Sequence, residues 1–236
     1  MFSRQKVAAL VGEFLGAGVL TLLILSVQRS TIGVPFFVAI AAGLAVATMS
    51  FAVGGISGGH FNPAITLGFW TARRITTVRT ILYIGAQLLG AWVAYLLYTY
   101  FVNNTLPNIG GHYSGRILVA EMVGTGLFAF GFAATLYNGF NRVATACLCG
   151  LALTVGIIAA SSASLALLNP AVALGARAWV WGTYVLGPVV GAIVGINLYA
   201  LLFTDGGVKE LAAAVSSGTA SASAATTKKS SGKKKK

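Results

Sequence analysis

Apolar residues fall into six long runs, at about 7–27, 34–53, 81–102, 117–137, 143–163 and 183–203. Each is long enough, as a helix rising 1.5 Å per residue, to cross a hydrocarbon layer of about 30 Å. Short polar breaks separate most of them. Two of the breaks differ, because each contains Asn-Pro-Ala followed by a shorter apolar stretch: Asn62-Pro63-Ala64 and Asn169-Pro170-Ala171. Asn is a favoured helix N-cap, and Pro suits the first helical position because its missing N–H would have no partner there. Each triplet therefore predicts a helix start. After Asn62 the apolar stretch gives about nine residues, roughly 13 Å, before Arg73-Arg74. That is a half-crossing. Non-helical backbone at membrane depth is tolerated only inside protein or beside a wet cavity, so both triplets predict re-entrant loops.

One register repeats along the chain. Glu13 within Gly12–Gly18 matches Glu121 within Ala120–Gly126, an offset of 121 − 13 = 108. Asn62 and Asn169 differ by 107, and Gly43-Leu44-Ala45 matches Gly150-Leu151-Ala152 at the same 107. The chain reads as a duplication, with a first repeat at 1–107, a second at 108–208 and a tail at 209–236. Three spans per half is an odd number, so the second half enters the membrane from the opposite side. The predicted fold is an all-α membrane protein: six transmembrane helices, two re-entrant half-helices and inverted three-helix repeats. The two Asn-capped tips would meet near the bilayer centre. Gly12 and Gly16, Ala120 and Gly124, and the pair Gly43 and Gly150 read as close helix contacts.

Composition narrows this further. The chain is 57% hydrophobic and 8% charged, outside the range of soluble domains. Its net charge of +12 suggests nucleic acid, but six of the lysines (Lys228, Lys229 and Lys233 to Lys236) lie in the Ala/Ser/Thr-rich tail, leaving +6 elsewhere. The tail predicts disorder and contact with anionic lipid rather than nucleic-acid binding. With the N-terminus in the cytoplasm, Arg4, Lys6, Arg73, Arg74, Arg79, Arg142 and Lys209 lie inside, and only Arg29, Arg116 and Arg177 lie outside. Both termini are therefore expected to be cytoplasmic, in the plasma membrane or, in a eukaryotic host, the endoplasmic reticulum. Trp70, Trp179 and Trp181 sit near span ends, as interfacial anchors do. The first run is read as a retained span rather than a cleaved leader. Cys147 and Cys149 point different ways on a helix, so both are expected to be packed in the core with no mutual disulfide and no metal.

The candidate chemistry is sparse. An N-capping Asn uses its Oδ1 on its own helix, leaving Nδ2 as a donor, so Asn62 and Asn169 are expected to offer donors to a passing oxygen. Two facing helix N-termini, each with about half a positive charge, would repel cations there. Carbonyls of 57–61 and 163–168 are expected to supply acceptors. Glu13 and Glu121, one per repeat, are read as braces accepting hydrogen bonds from the loop backbone, with a proton relay as the alternative. His60 is read as a packed loop residue, with a pore-gating role as the alternative. No nucleophile–base pair, cofactor signature or metal cluster is visible, so an enzyme is not expected.

Asn-Pro-Ala twice, the stretch Ser57-Gly58-Gly59-His60-Phe61-Asn62-Pro63-Ala64-Ile65-Thr66-Leu67-Gly68, and a Glu in the first and fourth spans resemble the major intrinsic protein family, the aquaporins and glycerol facilitators. The resemblance covers about 7–203. It implies a homotetramer with one pore per subunit, passing water or small uncharged solutes through the bilayer. The family's second motif usually continues with an Arg that lines an outer constriction. Ungapped alignment places the constriction at Ala42, Ile157, Ala166 and Val172, none of them charged. A missing unit charge at about 5 Å and an effective dielectric near 20 removes on the order of 3 kcal/mol of cation barrier. Arg177, five residues past Val172, is read as a surface or interface anchor rather than a replacement. A widened, apolar filter passing glycerol-like solutes is the expectation. The alternatives are an ion-permeable channel and a non-conducting structural protein of the same fold.

Overall fold

The computed structural model describes residues 3–31 and 33–206. The tail expectation for 209–236 lies outside the described residues. Among those residues all regular structure is helical: α1 (Arg4–Gln28), α2 (Pro35–Met49), α3 (Gly55–Ser57), α4 (Pro63–Thr71), α5 (Thr77–Val102), α6 (Gly115–Tyr137), α7 (Arg142–Ala160), α8 (Pro170–Gly175) and α9 (Leu186–Leu202). A π-helical turn, Ser50–Gly54, joins α2 to α3, and another, Trp181–Val185, leads into α9. Among the described residues six helical stretches are long and apolar enough to cross a membrane, each overlapping one of the predicted runs. The chain divides into two compact units, Met1–Asn197 and Leu198–Lys236. In the second, the rings of Tyr199 and Phe203 stack 5.5 Å apart. Both Asn-Pro-Ala turns belong to the first.

Local chemistry sets the helix ends. Thr76, Ser114 and Asn141 cap α5, α6 and α7 through their side-chain oxygens, satisfying backbone N–H groups that have no partner within the helix. The half-helices α4 and α8 end alike. The N–H of Arg74 donates to Phe69 O at 2.8 Å and that of Ala178 to Ala173 O at 2.9 Å. The residue before each, Arg73 at φ +57° and Arg177 at φ +60°, takes the left-handed conformation that closes such a cap. Arg177 is thus the counterpart of Arg73. It is exposed, with its guanidinium 5.8 Å from the Tyr95 ring. At six residues against nine, α8 is the shorter half-helix.

Small residues let the backbones approach. Where α2 crosses α7, a Cβ added to Gly150 would lie 2.4 Å from Gly43 O, and one added to Gly43 would lie 2.8 Å from Gly150 O. The pairing expected from the repeat is therefore a backbone-on-backbone contact, and Thr154 Oγ1 adds a hydrogen bond to Ala39 O at 3.2 Å. The half-helices pack crosswise. Gly68 of α4 lies against Ala192 of α9, and Gly175 of α8 against Ala91 of α5; in both, an added Cβ would sit 2.9 Å from the facing carbonyl oxygen. Thus α4 packs against α9, and α8 against α5.

One expectation needs correction. Cys149 is buried, but Cys147 is exposed. It shares one face of α7 with exposed Val143, Leu151 and Val155, at intervals of four residues. In a membrane span an outward apolar face needs no protein cover, so apolar surroundings in sequence did not imply a core position.

Candidate functional site

The two Asn-Pro-Ala turns are built alike. Asn62 (φ −154°) and Asn169 (φ −155°) are extended, and their Oδ1 atoms accept from the N–H of Ala64 at 2.8 Å and Ala171 at 2.9 Å. Pro63 and Pro170 open the helices that follow. The residues just before, Phe61 at φ +50° and Leu168 at φ +52°, lie in the left-handed region that bulky side chains avoid. That conformation costs on the order of 1–2 kcal/mol per residue, so something must hold it.

Two buried glutamates accept hydrogen bonds from the backbone at these positions. Glu13 Oε1 accepts from His60 N at 3.0 Å, and its Oε2 accepts from Phe61 N and from Gln87 Nε2, both at 2.7 Å. Glu121 Oε1 accepts from Leu167 N at 3.1 Å and from the Ser164 hydroxyl, and its Oε2 accepts from Leu168 N at 2.7 Å. Ser57 and Ser164 Oγ accept in turn from Gly59 N and Ala166 N at 3.0 and 2.9 Å. These partners are 107 or 108 residues apart, so the structure pairs the same groups twice. A carboxylate accepting two consecutive backbone N–H groups fixes the turn preceding each Asn. Gly16 leaves room for the Phe61 ring, which an added Cβ would meet at 2.0 Å.

The turns also grip each other. Asn62 Nδ2 donates to Leu168 O, and Asn169 Nδ2 donates to Phe61 O, each at 2.9 Å. This corrects the expectation that both amide groups are wholly free. One N–H of each is committed across the interface, leaving one donor per Asn. The loop carbonyls expected as acceptors are partly committed as well: Phe61 O and Leu168 O to the asparagines, and Ser57 O to Tyr83 and Arg79. Asn62 and Asn169 are 2% and 1% exposed. Ala42 on α2, Ile157 on α7, Ala166 in the second loop and Val172 on α8 are each 3% exposed or less.

Around the first tip the surroundings are polar. Thr66 Oγ1 donates to Asn62 O at 2.9 Å and accepts from Gln87 Nε2 at 2.9 Å. His60 Nδ1 lies 3.1 Å from the same oxygen. A hydroxyl has one proton, and this one serves Asn62 O. Nδ1 is therefore assigned as the donor, which leaves Nε2 as an acceptor. The His60 ring stacks on Phe69 at 5.0 Å and meets the edges of Tyr83 and Phe132. Gln87 spends both amide hydrogens on Glu13 and Thr66, and its buried Oε1 has no hydrogen-bond partner. At the register-related positions the second half carries Leu167 and Ala173, so this cluster is one-sided. A cavity of about 220 Å³ reaches His60, walled by Phe69, Phe132, Gly58, Arg74 and Arg79.

Sequence reasoning overlooked Gln87, Thr66 and Arg79 as members of the site. It also overlooked Ser57 and Ser164, although their separation of 107 was a readable signal. Among the described residues no group of three His, Cys, Asp or Glu is placed to hold a metal.

The chain is similar to known proteins of one family. The family model described as Major intrinsic protein matches residues 2–199. "Probable aquaporin NIP4-2" of Arabidopsis thaliana is 32% identical over 233 residues, covering 91% of this chain and 80% of that protein. "Glycerol uptake facilitator protein-like 6" of Lactiplantibacillus plantarum is 34% identical over 203 residues, covering 78% and 93%. The solved aquaglyceroporin from Plasmodium falciparum shares the fold, with a TM-score of 0.71 at 21% identity, covering 84% of this chain and 97% of that one. The chain therefore belongs to the major intrinsic protein family, whose members are passive membrane channels, and it is not an enzyme.

Proposed function

We propose that this passive channel for water or small solutes passes glycerol-sized neutral molecules, with water as a co-permeant, along a path beside Asn62 and Asn169. The observation that carries the reading is the reciprocal pair of Asn–carbonyl hydrogen bonds. They bring two helix N-termini tip to tip, with one Nδ2–H left on each amide. Helix N-termini carry partial positive charge, so the tips favour oxygen lone pairs and disfavour cations. A water accepting from both donors turns its hydrogens outward, which breaks a proton wire at that point. Ala42, Ile157, Ala166 and Val172 form the size limit in this reading. With no Arg among them, the limit is wider and more apolar than a water-specific one. Glu13 and Glu121 position the loops, and the side chain of His60 lines the approach.

The repeat boundaries, 1–107 and 108–208 in inverted orientation, belong to the same proposal. So do the homotetramer, cytoplasmic termini and a plasma-membrane location. Support comes from the matched braces, caps and glycine contacts and from the Lys/Arg bias. Stopped-flow light scattering on proteoliposomes tests the function. Shrinkage in sucrose reads water, and reswelling in glycerol or urea reads solute. Glycerol reswelling faster than in protein-free vesicles is expected. Water flux with no solute flux would point to a narrow filter, and silence in every channel would favour the structural alternative.

A further inference from the structure

The outer constriction lacks a charge, but the opposite mouth has two. We propose that Arg74 and Arg79, in the lining of the cavity that reaches His60, add a cation barrier to that of the two helix tips. The inference rests on the pore reading above and names a determinant of its selectivity.

Val172 stands where the family resemblance implies Arg, and Ala42, Ile157 and Ala166 are likewise uncharged. On the proposed path, a solute that has passed those residues and the asparagines reaches His60 and a cavity of about 220 Å³ whose lining includes Arg74 and Arg79. Neither is neutralised. Arg79 donates from Nε to Tyr83 Oη at 2.9 Å and from a terminal nitrogen to Ser57 O at 3.1 Å, both uncharged acceptors. The Arg74 guanidinium lies 4.6 Å from the Tyr137 ring centroid. Among the described residues neither makes an ion pair, and Glu13 and Glu121 are committed to the loop backbone. The hydrogen bond to Ser57 fixes the Arg79 charge against the re-entrant loop itself. Lys6, which lines a neighbouring cavity together with Arg79, has the same sign.

Like charges in a mouth with low-dielectric walls focus a potential that repels entering cations. Neutral solutes do not feel it, so cation exclusion here requires no narrowing. This is why a widened filter and an intact ion barrier are compatible in one chain. The barrier must also be salt-sensitive, because screening shortens the reach of the charges from about 30 Å at 0.01 M to about 8 Å at physiological ionic strength.

The test is the ratio of potassium to glycerol permeability in proteoliposomes, at low and at physiological ionic strength. Wild type is compared with Arg74→Gln, Arg79→Gln, the double Gln variant and the double Lys variant. The double Gln variant should raise the ratio on the order of tenfold at low salt, and less at high salt. The double Lys variant, which keeps the charge but loses the planar hydrogen-bonding fork, should stay near wild type. If Arg79→Gln fails to insert, Arg74→Gln decides alone, and should raise the ratio by a smaller factor. An unchanged ratio in the Gln variants overturns the proposal and leaves ion exclusion to the helix tips and the apolar constriction. Lys variants that leak like the Gln variants overturn it in favour of a structural role for the fork. Wild type leaking potassium while passing glycerol also overturns it. Wild type that passes no neutral solute removes the pore reading itself, and with it this barrier, before any ion is measured.

Discussion

Replacing Glu121 by Gln changes one atom in the brace of the second tip. The carboxylate is fully buried and accepts from Leu167 N at 3.1 Å, Leu168 N at 2.7 Å and the Ser164 hydroxyl. A Gln retains one acceptor oxygen and turns an NH₂ toward the second donor. One backbone N–H is then left buried without a partner, at about 1–3 kcal/mol, and the other bond loses its charge assistance, about 1 kcal/mol more. The strained Leu168, at φ +52°, is freed to relax. Its carbonyl then moves away from Asn62 Nδ2, which removes a further bond worth about 1 kcal/mol. These sum to roughly 3–5 kcal/mol, and the strain released at Leu168, about 1–2 kcal/mol, offsets part of it and leaves roughly 1–4 kcal/mol. At about 2–4 °C per kcal/mol for a chain of this size, thermal unfolding in detergent should fall by roughly 5–10 °C. Glycerol reswelling should fall with it, because the Asn tip is no longer fixed. An unfolding temperature and a flux both equal to wild type would refute the brace. Wild-type stability and glycerol flux, together with the loss of a proton flux that wild type shows, would instead favour the proton-relay alternative.

The packing and the constriction give two further expected outcomes. Gly150→Ala puts a Cβ 2.4 Å from Gly43 O and 2.8 Å from the Ala47 Cβ; it should separate α2 from α7 and lower stability by about 1–3 kcal/mol or more, measured by the same melt. Val172→Arg restores a long cationic side chain at the first turn of α8; it should cut glycerol flux on the order of tenfold or more while sparing water, and unchanged glycerol flux would displace the constriction from this residue.

Most of the architecture was legible because each element obeys a local rule. The spans come from apolar run length, the half-helix starts from Asn-Pro, and the Gly43–Gly150 contact from the common register. That Glu13 and Glu121 accept hydrogen bonds from loop N–H groups was legible because an acid in a span must find donors. What pattern alone could not give are contacts between groups far apart in the chain. The reciprocal bonds join Asn62 to Leu168 and Asn169 to Phe61, and only folding decides which carbonyl faces which amide. The one-sided cluster of Gln87, Thr66 and His60 was missed because each of these residues taken singly looks like ordinary helix or loop packing. Positive φ at Phe61 and Leu168 was illegible for a different reason: local preference argues against it, and the carboxylates override that preference. Cys147 went wrong because the sequence pattern does not separate a lipid-facing position from a core one.

The proposed passage runs beside the two Asn tips and past Val172. The most direct test is Val172→Cys in proteoliposomes treated with a membrane-permeable mercurial, with labelling checked by mass spectrometry. In wild type the exposed Cys147 lies on the outer face of α7 and Cys149 is buried, so treatment should leave glycerol flux unchanged. In the variant, labelling should bring glycerol flux down to that of protein-free vesicles, and a thiol reductant should restore it. A fully labelled variant that still passes glycerol at its untreated rate would place the path elsewhere and contradict the account.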